Sequence, residues 1–307
     1  MDLAGSTVAW VFPGQGSQVV GMGHSLYSTY PSVRELYDTA NTLLDYSISE
    51  LCFSGPSEAL QQTNNAQPAL LVTELAHLEA LKQRYGGSFD SPLYVAGHSL
   101  GEYSALVAAG VMSFADALRL VAERGRLMQL AGSSIGRPTG MSAVLGLGDA
   151  DLTPICEEAG VDIANLNAPG QVVISGPLDA LEAAGALAKA KGARRVMPLQ
   201  VSAAFHSRWM RPMSEEFGLS ISDTTMRPPA TPVVANVTAR PASDVQEMRT
   251  LLQAQTYSPV RWVESVQYMA SEGVQTFVEI GPGKVLSGLI KRIIPDAQVL
   301  SSEDLLA

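Results

Sequence analysis

Ser99 lies in Gly97-His98-Ser99-Leu100-Gly101, after the apolar run at 93–96 and before a helical pattern that starts just beyond it. Strand, sharp turn and helix around Gly-x-Ser-x-Gly are the setting of a nucleophile elbow. Gly97 and Gly101 leave room for a turn too tight for flanking side chains. The hydroxyl then stands at the C-terminal edge of a sheet, beside a helix N-terminus whose backbone N–H groups can stabilise an oxyanion. Alone, the pentapeptide is weak evidence in a chain this rich in glycine and serine, and a plain turn with a Ser N-cap is the competing reading.

A serine hydroxyl needs a base. Of the four histidines, His98 adjoins Ser99 and is expected to point away from it on the elbow. His77 falls mid-helix, where a packing or surface role is expected, and His24 lies in a polar segment. His206 follows Ser99 in the chain, as the base does in hydrolase-type elbows, in Phe205-His206-Ser207. A histidine at a helix N-terminus is the bland alternative. No Asp stands out as a third member, but a backbone carbonyl can hold the imidazole tautomer, since that role needs only an acceptor.

The elements that must position these groups alternate in type. Residues 7–12 read as a buried strand running into Pro13-Gly14-Gln15-Gly16-Ser17-Gln18, a loop whose glycines let backbone N–H groups approach a ligand, or else an ordinary flexible turn. No Lys-Ser or Lys-Thr follows at Walker spacing. Apolar spacing predicts helices over 32–44, 67–84 and 114–129, and a helical or turn region over 51–60 broken at Gly55-Pro56. The helix at 114–129 carries Arg119, Arg124 and Arg126, and a solvated face is the usual reading of helical arginines. Then the texture changes: strand 141–147, helix 150–159, strand 161–165, turn 167–170, strand 171–175, helix 178–191 and strand 194–199. That order is β-α-β-β-α-β, the ferredoxin-like arrangement. Helices over 208–217, 245–255 and 260–271 follow, with strands at 233–236 and 275–280, Gly281-Pro282-Gly283, a helix to about 293 and an edge strand at 298–301. The expected fold class is α/β: an α/β-hydrolase-like core with a mainly parallel sheet, formed by 1–133 and 205–307, plus an inserted ferredoxin-like small domain at 134–204.

Of 307 residues, 46% are hydrophobic and 16% charged, enough for a sizeable core. A net charge of −10 argues against nucleic acid or an anionic membrane as partner. Cys52 and Cys156 have no metal-type spacing and read as core thiols of a reducing compartment. No basic segment precedes a long apolar run at the N-terminus, and no apolar stretch is long enough to span a bilayer. A cytoplasmic protein is expected.

Taken together, the Pro13–Gln18 loop, the Gly97–Glu102 elbow, Ala122-Glu123-Arg124-Gly125, Asn165-Leu166-Asn167-Ala168-Pro169-Gly170-Gln171, Phe205-His206-Ser207 and Gly281-Pro282-Gly283 resemble, in order and spacing over nearly the whole chain, the malonyl-CoA:acyl carrier protein transacylases, including discrete acyltransferases that load polyketide synthases. The resemblance implies Ser99 as nucleophile and His206 as base, then acid. It implies an oxyanion hole from the backbone N–H groups of Gln15 and Leu100, and Arg124 as partner of the malonyl carboxylate. Gln255 matches the position whose main-chain carbonyl orients the histidine. Gln15, His98 and Phe205 are expected beside the acyl group. An aromatic residue before the base resembles malonyl-selective members, and one methyl is worth only ~1–3 kcal/mol, so preference over methylmalonyl is expected rather than exclusion. The implied partners are malonyl-CoA and an acyl carrier protein, with no cofactor and no metal. Carrier proteins of this system are acidic, so attraction must be local. The candidate cations are Lys189, Lys191, Arg194 and Arg195, with Lys284, Lys291 and Arg292 near the C-terminus. A serine acyl hydrolase, in which water replaces the carrier thiol, is the second reading, and a non-catalytic docking module the third.

Overall fold

The computed structural model describes residues 7–89 and 91–307; residues 1–6 and 90, which fall in the range expected for the larger unit, lie outside it. Two sheets organise the chain. The first joins β1 (Val8–Phe12), β2 (Tyr94–Gly97), β7 (Val233–Val234), β8 (Thr276–Glu279) and β9 (Gln298–Ser301) in the order β7-β2-β1-β8-β9. Every pairing in it is parallel. Val8-Ala9-Trp10-Val11-Phe12 and Tyr94-Val95-Ala96-Gly97 are buried at every residue, as expected of strands covered by helices on both faces. Parallel pairing sends the ends of β1, β2, β7 and β8 to one edge, and the loops that carry chemistry leave from there.

The second sheet holds β3 (Thr139–Leu145), β4 (Asp162–Ala168), β5 (Gln171–Pro177) and β6 (Arg195–Pro198) in the order β4-β5-β3-β6, antiparallel throughout. With the helices Asp149–Ala159 and Leu178–Ala190 this is the ferredoxin-like arrangement. Strand alternation divides its residues between two cores. Val144, Val172 and Ile174 face the two helices with Leu152, Leu181 and Ala184, whereas Met141, Ala143 and Val173 join the core of the larger unit. The seam is also bonded: the Leu166 N–H donates to the Val260 carbonyl and the Val260 N–H to the Ala164 carbonyl, both at 2.9 Å.

Several elements depart from the pattern read in the sequence. The helix expected at 67–84 runs Thr63–Tyr85 with Pro68 inside it, and is buried on nearly all sides rather than on one leucine face, because the helices Phe114–Ser134, Pro31–Leu44, Gly101–Ala108 and Ser302–Leu306 pack around it. The broken region at 51–60 is two helices, Ile48–Ser54 and Ser57–Leu60. His24–Thr29, an unexpected helix, carries His24 against the Phe53 ring. Val260 is bridge, not helix, and the helix after it begins at Trp262. Cys52 and Cys156 are free and buried, and burial pushes their thiols up to about 12 and about 11. No helix among the described residues is long and apolar enough to cross a membrane.

At the edge beyond β2 the two flanking glycines are sterically compelled. A Cβ on Gly97 would lie 1.9 Å from the Gly101 carbonyl carbon, and one on Gly101 would lie 2.1 Å from the Phe12 carbonyl oxygen. Backbone on both sides leaves no flexible atom to yield. Gly101→Ala should therefore destabilise the protein by about 3 kcal/mol, the upper range for overpacking, read as a lowered urea midpoint. An unchanged midpoint would contradict this packing.

Candidate active site

Ser99 adopts φ 53°, a left-handed conformation unfavourable for a residue with a Cβ. Three contacts hold it there. The His98 N–H donates to the Phe12 carbonyl at 2.9 Å. The Ser99 N–H donates to Asn236 Oδ1 at 2.7 Å, and Asn236 Nδ2 donates to the Gly97 carbonyl at 2.6 Å. Asn236 follows β7 at the same sheet edge, so its side chain braces the elbow across the neighbouring strand.

His206 arrives from the other side, where the chain leaves the second sheet. It too has positive φ, 55°, and its N–H donates to the Thr256 carbonyl at 3.2 Å. Its Nδ1 faces the Gln255 carbonyl at 2.8 Å and the Ser258 carbonyl at 3.2 Å. Two acceptors require Nδ1 to carry the proton, so Nε2 is left as acceptor for the Ser99 hydroxyl, 2.7 Å away. The third group in this row of hydrogen bonds is thus a main-chain carbonyl, placed by the last residue of the helix Val245–Gln255. Burial, with Arg124 beside it, depresses the imidazole to about 3.

Arg124 overturns the solvated-face reading of its helix. Arg119 and Arg126 are exposed and pair with Asp116 and with Glu123 and Glu216. Arg124 is only 1% exposed. The signal was available in the spacing: Arg119 and Arg126 stand seven apart on one helix face, and Arg124 lies about 140° round from Arg119. Its Nη2 donates to Ser99 Oγ at 3.1 Å and to Gln255 Oε1 at 2.9 Å, and its Nη1 to Gln67 Oε1 at 2.5 Å. Its plane lies over the Tyr103 ring at 5.3 Å. Burial lowers its pKa from the ordinary arginine value, while Tyr103 and Glu102 oppose that shift.

Gln67 and Asn236 went unmarked in the sequence, Glu102 closed the elbow motif without a role of its own, and the side chain of Gln255 was given none. Glu102 Oε2 accepts from Gln255 Nε2 at 2.7 Å and from the Asn236 N–H at 3.1 Å. Burial pushes its carboxyl up to about 7, against the bonds from Gln255 and Asn236 and the Arg124 charge. Gln67 and Glu102 are polar residues on helix faces that are otherwise buried, and Asn236 is a polar residue just past a buried strand. Those are the local patterns that could have flagged them.

The Gly14–Gln18 loop is bonded rather than loose. The Gly16 N–H donates to Gln18 Oε1 at 2.7 Å, Gln18 Nε2 to Gln61 Oε1 at 2.6 Å, and Gln15 Nε2 to Thr63 Oγ1 at 3.3 Å. Gln15 and Leu100 both line the cavity at Ser99. Among the described residues, neither of their backbone N–H groups donates to a protein acceptor. The cavity, about 300 Å³, is lined by Arg124, Ser99 and His206 and by the apolar side chains of Met128, Met141, Val201 and Phe205. His98 has its ring against Asn167 and Trp262, with no hydrogen bond to Ser99 among the described residues. It lines the same cavity, 2.8 Å from Asn167 Oδ1 through Nε2, and burial lowers its pKa. His77 is a packing residue: buried, with Nδ1 2.9 Å from Ser302 Oγ, and depressed by burial to about 4.

Such a site can acylate and deacylate a serine, with a fixed cation beside the acyl group. The whole-chain comparisons agree with that chemistry. The family model described as an acyl transferase domain matches residues 9–306. The malonyl CoA-acyl carrier protein transacylase of Escherichia coli O157:H7 is 46% identical over 93% of this chain and 92% of its own length. The chain belongs to the malonyl-CoA:acyl carrier protein transacylase family. Among solved structures, an acyl carrier protein S-malonyltransferase from Vibrio cholerae superposes with TM-score 0.93 at 41% identity, covering 98% of this chain and all of that one. A type II PKS acyl-carrier protein in complex with its malonyl-transacylase gives 0.91 at 41% identity, covering 96% and 95%. The family's fold is the one described above, its ferredoxin-like insertion included.

The burial of His206 sets a measurable property. Its imidazole stays neutral and Nδ1-protonated through the range near pH 6.5 where an unburied histidine takes up its proton. Imidazole NMR of the resting protein checks this, and a titration midpoint near 6.5 would contradict the buried, carbonyl-anchored geometry.

Proposed function

We propose that the protein transfers a malonyl group from malonyl-CoA to the phosphopantetheine thiol of an acyl carrier protein, through a malonyl ester on Ser99. The observation that carries this reading is a buried guanidinium 3.1 Å from the Oγ of a serine that is itself 2.7 Å from an imidazole. A general esterase has no use for such a group, whose planar fork fits a carboxylate.

The steps follow from the placement. Ser99 gives its proton to His206 Nε2 as Oγ attacks the thioester carbonyl. The N–H groups of Gln15 and Leu100 are free to receive the oxyanion. Collapse breaks the carbon–sulfur bond, and His206 returns the proton to the departing CoA sulfur. The carrier thiol then attacks the Ser99 ester by the reverse sequence, a ping-pong transfer. Arg124 opposes charge on His206 in the empty site. A malonyl carboxylate paired with Arg124 cancels that opposition, so the diacid substrate also favours the imidazolium that each half-reaction needs. The Phe205 ring in the cavity wall leaves little room for an α-methyl branch. Two buried free thiols suit the reducing cytoplasm.

For carrier docking, exposed Lys189 and Lys191 are the better candidates. Lys284 is paired with Asp304 at 2.7 Å, Lys291 donates to the Ala297 carbonyl, and Arg292 is spent on the Pro169 carbonyl and Gln171. Reversing charge at Lys189 and Lys191 should raise KM for the carrier and leave that for malonyl-CoA unchanged; an unchanged carrier dependence removes the patch.

The deciding assay supplies malonyl-CoA with and without carrier protein and follows malonyl carrier against free malonate. Transfer should dominate. Malonate release at the same rate in both conditions would favour the hydrolase. Arg124→Ala should cost on the order of 3 kcal/mol, roughly a hundredfold in kcat/KM, for malonyl-CoA and far less for acetyl-CoA. Malonyl transfer undiminished in that variant would overturn the assignment.

A further inference from the structure

Gln255 touches every part of the site. Its backbone carbonyl accepts from His206 Nδ1, its Oε1 accepts from Arg124 Nη2, and its Nε2 donates to the Ser99 carbonyl at 3.0 Å and to Glu102 Oε2 at 2.7 Å. The side-chain amide is useful in one orientation only. Rotated by half a turn, it would present its NH2 to the Arg124 NH2, donor against donor, inside a fully buried pocket. Something must therefore prefer the productive orientation strongly.

We infer that Glu102 is a positioning residue for malonyl recognition: its carboxylate, braced by the Asn236 N–H, fixes the Gln255 amide so that Oε1 faces Arg124, and this sets the guanidinium in line with Ser99. Glu102 touches neither the cavity nor the reacting atoms. It meets Gln255 Nε2 from the helix Gly101–Ala108, which begins at the elbow, so nucleophile and carboxylate clamp are registered by one element. The same Oε2 receives both bonds, and it remains an acceptor even when the other oxygen carries a proton. Without that acceptor, only Arg124 itself and the Ser99 carbonyl oppose the flip, and wherever the amide turns the buried arginine loses its partner on one side.

The inference rests on the reading of Arg124 as the carboxylate clamp, so the experiment carries Arg124→Ala as its reference. The ratio of kcat/KM for malonyl-CoA to that for acetyl-CoA is measured in four variants, together with the rate at which a fluorophosphonate labels Ser99. Glu102→Leu, which removes the acceptor, should lower the ratio at least about tenfold, the scale of one hydrogen bond to a charged group. Labelling should stay within about threefold of the parent, since the base and its carbonyl anchor are backbone-held. Glu102→Gln keeps an oxygen at the Oε2 position and should restore most of the ratio. Gln255→Met removes the amide and leaves Glu102 in place. It should lower the ratio as Glu102→Leu does, and it decides the matter if that variant does not fold. A malonyl preference retained in Gln255→Met or in folded Glu102→Leu, while Arg124→Ala loses it, overturns the inference. Equal loss in Glu102→Gln and Glu102→Leu also overturns it, by assigning the effect to charge or packing. A preference retained in Arg124→Ala instead overturns the clamp itself.

Discussion

The close approach of backbone to backbone at Gly97, Gly101 and Phe12 is the constraint on which the rest depends. It forces the chain from β2 into its helix within a few residues, and Ser99 alone among them keeps a side chain at positive φ. Such a conformation costs of order 1–3 kcal/mol and persists only where surroundings over-determine it. Here the parallel sheet supplies those surroundings. Phe12 on one neighbouring strand accepts from His98, and Asn236 beyond the other bonds both the N–H of Ser99 and the carbonyl of Gly97. The sheet order therefore does more than bury apolar residues, because it places a brace on either side of the elbow.

Around that fixed hydroxyl the site solves an electrostatic problem. The Arg124 guanidinium is buried beside Ser99, and a buried charge must have partners of its own. Gln67 and Gln255 supply neutral acceptors, Tyr103 supplies a π face, and Glu102 lies behind the Gln255 amide. None of these competes as a full anion in direct contact with Arg124. A salt bridge there would neutralise the guanidinium and, on the proposed reading of Arg124, blunt its attraction for a malonyl carboxylate. The histidine is tuned in the same sense: a carbonyl rather than a carboxylate anchors Nδ1, so no second buried anion enters the site.

Much of this was legible before any coordinates, for reasons that differ by element. The strands 8–12 and 94–97 are unbroken apolar runs, and the inserted β-α-β-β-α-β unit shows itself through its change of texture and its turn at 167–170. The elbow shows through its glycines, which steric overlap explains. The helix Thr63–Tyr85 was legible as a helix but not as a fully buried one, since periodicity reads one face and tertiary packing filled the others. The solvated-face reading of helical arginines fits Arg119 and Arg126 and fails for Arg124, whose angular separation from both held the distinction. The brace of Asn236 and the bonds of Glu102 with Gln255 join residues more than 130 positions apart. Nothing local in a sequence encodes such a pairing, because it exists only once the sheet has brought its C-terminal ends together. The family resemblance named the Gln255 carbonyl as the partner of His206, and the two lie 2.8 Å apart, yet it gave no role to the Gln255 side chain, whose amide links the elbow to the arginine.

The central physical claim is that Ser99, so held, receives the acyl group while Arg124 holds its far carboxylate. Peptide mass mapping after brief exposure to malonyl-CoA without carrier tests it most directly. The predicted result is one malonyl group, on the peptide containing Ser99, removed when carrier protein is added and absent from Ser99→Ala. Malonyl found elsewhere, or transfer to carrier that proceeds in Ser99→Ala, would contradict it.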